Sequence, residues 1–472
     1  MWSAIVISMS FFYTALVVRT ASRAQDRHLA FVIVALGSRY LISAFSSATN
    51  TPVVGGLSAI ALSSVAISAL GLLIVDKRLL SLRALLPFYI FVFFVAFSGI
   101  ANGKFITLFM VFTKFIYLVT IQLALFHALE SLGPRRVFST LLLVFTMPAG
   151  LQAISVLLGL DSRALGVTQR LSAGELNPQD INFIGPYGHE SGFSMILLTM
   201  LVCVAFWRSR YGAAFWVLLA ATILGIMFAN YRTTILAAGP ILLVIIFVRS
   251  AKIFAAGQRG FWVTLSVLAA IAASIVVLGP SELVTRFSDL IAIDLANFSR
   301  SPNMLTEAER DLLSARLYIW SQYLSAFREA DIANQLIGFG PESWQGVFVL
   351  YAHNTFISYL YEFGYLGLIA FLVFWIGNFA MCLAIKDAGL CMLMLSIYAG
   401  FTILNLATMP IWQVEGLICF AVMNGCLLHY SRRTVGHRGL VDENLKGRAK
   451  SSRAASATIV LDLDQGRDAS RG

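Results

Sequence analysis

The chain returns repeatedly to apolar stretches of about 17–24 residues, each long enough to cross ~30 Å of hydrocarbon as a single helix. In lipid the backbone must satisfy its own N–H and C=O groups, so only helices and closed barrels span it. Barrel strands alternate in polarity along the chain. These stretches do not alternate, which leaves an all-α, polytopic bundle. Composition agrees: 58% of the 472 residues are hydrophobic and 12% charged, with a mean hydropathy of +0.81. A soluble domain carries about a quarter charged residues.

The hydropathy pattern predicts thirteen spans, at 2–18, 29–47, 53–75, 84–100, 105–128, 137–160, 191–206, 211–229, 233–249, 261–279, 354–384, 389–408 and 411–430. Alternate connections differ sharply in charge. One set (19–28, 76–83, 129–136, 207–210, 249–260 and 385–388) holds fourteen Lys and Arg. The short turns of the other set hold two, Lys104 and Arg232. Positive charge marks the cytoplasmic side, so the N-terminus is expected outside and the C-terminus inside.

The chain then divides into N-terminal spans (1–160), an outer loop (161–190), central spans (191–279), a 73-residue outer loop (280–352), C-terminal spans (353–430) and a Ser/Ala/Arg-rich tail (431–472) expected to be disordered. The long outer loop contains "ERDLLSARLYIWSQYLSAF" (309–327), whose three- and four-residue apolar spacing predicts a helix. It is expected to cap the membrane domain ahead of the last three spans.

Several classes are disfavoured. The first apolar stretch has no basic residue before it, which reads as a span rather than a cleaved signal. The five cysteines all lie in apolar runs without ligand spacing and read as packing residues. The net charge of +10 is distributed as a topogenic and lipid-headgroup signal, with no aromatic-basic module for nucleic acid. No matched pair of broken helices points to a secondary transporter.

Polar groups inside the spans need a reason. Arg39, Lys114, Glu362 and Glu415 are open to two readings, internal ion pairing or function. On the outer face stand Arg232 in "FANYRTTILAAGP", Arg316 in "SARLYIW" and His353 in "YAHNTFISYLYEFGYLGLIAF". Each has a plain alternative: a snorkelling anchor, a solvated helix face and an interfacial histidine. Asn354 is a preferred N-cap type, and a helix starting there would keep a neighbouring imidazole neutral and favour an anion nearby. A neutral imidazole is a competent general base, and planar guanidiniums suit diphosphate oxygens. Together they point to transfer from a phosphate-bearing lipid donor. Glu362, nine residues beyond His353, would lie on the opposite helix face, so the two are not a direct acid/base pair. Gly364 and Gly367 read as close-packing positions between helices. No Asp-x-Asp or His/Asp cluster stands out as a metal site.

These motifs also carry a resemblance. Residues 314–374 hold, in order, Arg316 and Trp320, Gly338-Phe339-Gly340-Pro341, His353-Asn354, and Glu362-Phe363-Gly364-Tyr365-Leu366-Gly367. This string resembles the C-terminal core of the O-antigen ligase and O-antigen/exopolysaccharide polymerase family, and "NYRTTILA" (230–237) is similar to that family's Ser-Arg span start, with Tyr231 in place of Ser. The likeness extends over roughly 185–430. It implies a metal-independent, cofactor-free, inverting glycosyl transfer at the outer face of a bacterial inner membrane. The donor implied is an undecaprenyl-diphosphate-linked glycan, with Arg232 and Arg316 on the diphosphate and His353 on the acceptor hydroxyl. Asn354 and Glu362 would be supporting residues; His189 and Glu190, in "GPYGHESGFSMIL" (185–197) where relatives often carry Pro-Asn, are a departure open to two readings, a supporting role in sugar choice or, favoured, a mark of the membrane interface. The favoured reading is a polymerase of lipid-linked repeat units. The alternatives are a ligase acting on a lipid A-core acceptor and, further off, a flippase of the same lipids. Flippase and chain-length regulator proteins are the partners implied.

Overall fold

The computed structural model describes residues 2–54, 57–162, 164–165, 182–207, 212–253, 256–258, 300–313 and 315–432, with a few more between 260 and 268. The expected span 261–279, most of the loop 161–190, the first part of the loop 280–352 and the tail 431–472 lie largely outside the described residues.

The described chain is a helical bundle. In order come α1 (Trp2–Ser22), α2 (Arg27–Ser43), α3 (Ala59–Ile74), α4 (Leu86–Ala101), α5 (Phe105–Leu132), α6 (Pro134–Leu141), α7 (Thr146–Leu157), α8 (Glu190–Phe206), α9 (Gly212–Ala229), α10 (Arg232–Ile253), α11 (Arg316–Arg328), α12 (Ile332–Ile337), α13 (Thr355–Leu383), α14 (Ala388–Ala407) and α15 (Val414–Arg432). Nine stretches among the described residues are long and apolar enough to cross a membrane, α6 and α7 running together as one of them, Pro134–Leu157. α3 and α8 are shorter apolar helices. A two-stranded turn, Pro52–Val54 with Leu57–Ser58, is the only strand pairing among the described residues.

Burial explains which helices sit centrally. α15 and α8 are almost wholly enclosed, α15 burying Glu415, Asn424 and His429 with its apolar residues, whereas α1 turns Ile7, Phe11, Phe12 and Val18 outward. An all-round apolar helix belongs in a core; an outward apolar face in this setting is a lipid face. α4 packs on α13, α3 on α5, α2 on α5, and α10 on α14. The last pair is antiparallel: a Cβ at Gly400 would strike the Ala237 carbonyl, and one at Gly389 would lie 3.2 Å from Val248. Arg232 is therefore level with the end of α14.

Buried charge is paired. Arg39 Nε and Glu415 Oε1 are 2.8 Å apart, and Ser43 donates to the same oxygen at 2.8 Å. Lys114 Nζ lies 3.5 Å from Glu342 Oε1 and 4.2 Å above the Trp412 ring. Ion pairing thus accounts for Arg39, Glu415 and Lys114, as the cost of burying a lone charge requires.

α13 is not a straight rod. Gly364 within it has φ 67°, ψ −169°, which breaks the helical run at that point. A Cβ there would collide with the Leu336 carbonyl, and a Cβ at Gly338 would collide with the backbone of Glu362 and Phe363. Only glycine fits either position. Phe339 N and Gly340 N donate to the carbonyls of Tyr361 and Glu362. The Gly-Phe-Gly-Pro turn and the Glu-x-Gly motif are one lock between the cap and α13. Gly364 is accordingly both a kink in α13 and a close-packing position against the last turn of α12, whereas Gly367 makes room for the Phe363 side chain of its own helix.

Candidate functional site

Four helices start at one end of the bundle: α8 after His189, α10 at Arg232, α11 at Arg316 and α13 after His353–Asn354. Contacts bring these starts together. Asn354 Nδ2 donates to the Leu406 carbonyl at 2.9 Å, on the last turn of α14, the turn level with Arg232. Ser191 and Gln413 are 3.1 Å apart, linking the start of α8 to the loop between α14 and α15. Trp320 Nε1 donates to the Ala352 carbonyl at 2.7 Å, tying α11 to the residue before His353. A helix N-terminus carries about half a positive charge and unpaired N–H groups, so convergent starts favour an anion.

The backbone at these starts is strained. Five non-glycine residues among those described have positive φ: Asn230 (52°), Leu313 (55°), Ala315 (62°), Glu342 (55°) and His353 (50°). Three of them, Asn230, Ala315 and His353, fall one or two residues ahead of a helix start, and all five lie in the loops around the site. Such strain costs about 1–3 kcal/mol per residue and persists where surroundings over-determine it. The break at Leu313–Ala315 also corrects the single helix expected over 309–327. A short helix, Glu307–Asp311, ends there, and α11 begins afresh at Arg316. Arg316 is thereby placed in the first turn of a helix, where the guanidinium and the dipole act in the same sense.

His353 is held from several sides. Its ring stacks on Tyr351, with centroids 3.9 Å apart. The flanking carbonyls of Leu350 and Ala352 are pinned from α11 by Tyr323 Oη at 3.0 Å and by Trp320. Burial first, then the electrostatic influence of Arg316 and of the His189 ring, push the imidazole down to about 3. His353 is therefore neutral at physiological pH.

The other sequence-predicted residues take different places. Asn354 caps α13 by accepting from Phe356 N and Ile357 N, so both ends of its amide are in use for structure. Glu362 is fully buried and accepts from Ser358 Oγ (2.9 Å) and Glu342 N (3.1 Å), below the site and facing the cap. It does not meet His353. His189 caps α8, its Nδ1 accepting from Ser191 N at 3.0 Å, which leaves the ring proton on Nε2 in the neutral form. Glu190 follows it with Oε2 3.8 Å from that Nδ1. Arg232 stands half-buried at the head of α10.

Two features were missed. The positioning pair Trp320 and Tyr323, three apart on one face of α11, had a signal in that spacing. The cluster of Asp26, His28 and His127, whose ligand atoms lie within 4.8 Å of one another, had none beyond an Asp-x-His. It is the group among the described residues able to ligate a cation. It lies near the C-terminal end of α5, while the turn after α12 meets the N-terminal end of that helix at Lys104. Some 20 residues of helix at 1.5 Å each separate it from the His353 end.

Residues 213–372 match the family model described as O-antigen ligase. That segment is about a third of the chain, and over it the protein is similar to the O-antigen ligase family. The matched segment takes in Arg232, Arg316, His353, Asn354 and Glu362 and leaves out His189 and Glu190. No curated protein matches the chain.

Proposed function

We propose that this multi-pass protein polymerises undecaprenyl-diphosphate-linked oligosaccharide repeat units at the outer face of a bacterial inner membrane, with its N-terminus outside and its C-terminus in the cytoplasm. The observation that carries the reading is a neutral, buried-edge imidazole, His353, set among the starts of four helices and beside Arg316, inside the segment that matches the family.

In this reading the donor's diphosphate lies against Arg232, Arg316 and the N-termini of α10 and α11. The acceptor sugar hydroxyl approaches His353. Its oxygen forms a bond to the donor's anomeric carbon as the bond from that carbon to the phosphate oxygen breaks. The hydroxyl proton passes to the imidazole, and the electron pair of the broken bond leaves on undecaprenyl diphosphate. Attack opposite the leaving group inverts the anomeric centre. Charge grows on the diphosphate as it departs, and guanidiniums fixed in helix first turns meet it without reorganisation. A neutral histidine starts the cycle able to accept a proton. His189 and Glu190 border the acceptor side, and Asn354 and Glu362 hold the α13 mouth in place.

The same chemistry serves a ligase, in which the acceptor is a lipid A-core rather than a second lipid-linked glycan. Purified protein with a lipid-linked oligosaccharide distinguishes them. Longer chains from donor alone mean polymerase, and transfer only on adding lipid A-core means ligase. Full activity in a folded His353→Ala protein overturns the reading altogether.

A further inference from the structure

The end of the bundle away from His353 holds a second cationic feature. A cleft of about 340 Å³ opens between the C-terminal end of α1, the turn into α2, and α6. Arg19, Arg23 and Arg136 line it, with Gln25 beside them and Leu29 and Leu143 among its apolar lining. We propose that this cleft binds the phosphate of an anionic lipid headgroup.

Four observations converge on that ligand. First, Arg19 in the last turn of α1 and Arg23 just past its end are four residues apart and joined by the Arg23 N to Arg19 carbonyl bond (3.2 Å), so their side chains leave on the same side and repel each other. Neither makes a side-chain bond among the described residues, and no lining residue is acidic. Second, the carboxylate next in sequence is turned away. Asp26 accepts from His28 N (2.7 Å), Leu29 N (3.1 Å) and Ser131 Oγ (2.8 Å), and its oxygens lie 3.2 and 3.4 Å from His28 and His127. The Asp26–His28–His127 cluster thus removes the nearest counter-charge from the cleft. Third, Arg136 is preset, its Nη1 donating to Gln25 Oε1 at 2.8 Å. Fourth, α1 shows a bare apolar face, Phe11 and Phe12 among it, running up to the arginines.

Uncompensated guanidiniums above an apolar lining want an anion with a hydrophobic tail, and planar guanidinium suits phosphate oxygens. The volume is that of a small-molecule pocket, larger than a bare phosphate needs. A free phosphate would use the arginines alike but gain nothing from the leucines or from the α1 face.

The test uses the full chain, purified in neutral detergent. Retention of phosphatidylglycerol, phosphatidylcholine and inorganic phosphate is measured by native mass spectrometry and by shift of the thermal midpoint. Arg19→Gln/Arg23→Gln/Arg136→Gln is compared with Arg27→Gln/Arg78→Gln/Arg83→Gln, which removes the same charge from exposed positions outside the cleft. The expected result is phosphatidylglycerol binding weakened on the order of tenfold or more by the first triple variant only. Equal loss in both triples, or none in the first, overturns the proposal. Stabilisation by inorganic phosphate equal to that by phosphatidylglycerol overturns the lipid assignment. The control triple and the monodisperse elution of each protein separate lost binding from lost fold.

Discussion

The two ends of this bundle both gather positive charge, and they hold it in opposite ways. At the His353 end the charges are few, half-buried and placed at helix starts behind strained backbone: Ala315 before Arg316, Asn230 before Arg232, His353 itself. At the other end Arg19, Arg23 and Arg136 are exposed on unstrained backbone, Arg19 and Arg136 in helices and Arg23 in the turn after α1. In the proposed reading, the strain at Asn230, Ala315 and His353 fixes the groups that the transfer needs in place. A headgroup site tolerates looser arginines. The two ends thus differ in backbone rather than in sign of charge, and the proposed reacting centre is the one on over-determined backbone.

The largest effect that tests this contrast is on turnover. His353→Ala is expected to lower transfer roughly 10²–10⁴-fold while leaving the far-UV spectrum unchanged. Arg316→Lys should lose nearly as much as Arg316→Ala, because lysine lacks the planar fork. The cleft triple variant should change transfer only a few-fold in detergent, and a large loss there would erase the distinction between the ends.

Stability comes next. Arg39→Ala strands Glu415 in the core and is expected to cost about 3–5 kcal/mol, read as a lowered unfolding midpoint. Gly364→Ala forces φ 67° on a residue with a Cβ and should cost about 1–3 kcal/mol from the backbone alone, with the collision at Leu336 added. Asn354→Ala, by removing a cap, should cost about 1 kcal/mol and, if α13 frays, lower activity more than stability.

The smallest effect is a flat line. His353 is depressed from its ordinary 6.5 to about 3 in the folded protein. Above pH 6.5 it is neutral in both states and contributes no pH dependence. Between about 6.5 and 3 the unfolded chain binds a proton that the folded chain does not, so stability falls as pH falls through that window. Transfer should show no acid limb from this residue between pH 5 and 8. An acid limb near 6.5 that disappears in His353→Ala would break the account of a neutral base.

Much of this was legible in the primary structure, for reasons particular to lipid. Apolar stretches announce spans because every buried backbone group must be satisfied within them; nine described stretches are long enough to cross, whereas the stretch expected at 53–75 opens as a strand turn and continues as the shorter helix Ala59–Ile74. Arg232, Arg316 and His353 stood out because polar groups are scarce there. The break before Arg316 was not legible: "DLLSARLY" keeps helical periodicity straight through it, whereas Leu313 and Ala315 are left-handed in the structure. The Asp26–His28–His127 cluster was hidden because a hundred residues separate its members.

By itself, then, the sequence determined an all-helical membrane bundle, the uneven charge of its connections and the short set of residues worth examining. Hydropathy is local and additive, so a window of chain is enough to read it. The tertiary structure alone decided which helix starts meet, that Glu362 accepts from the cap at Glu342, that Asn354 is also a tie to α14, and that three distant arginines share a cleft. Those outcomes depend on antiparallel register, on a glycine kink and on which carboxylate is already occupied. None of these is a property of any single stretch of chain.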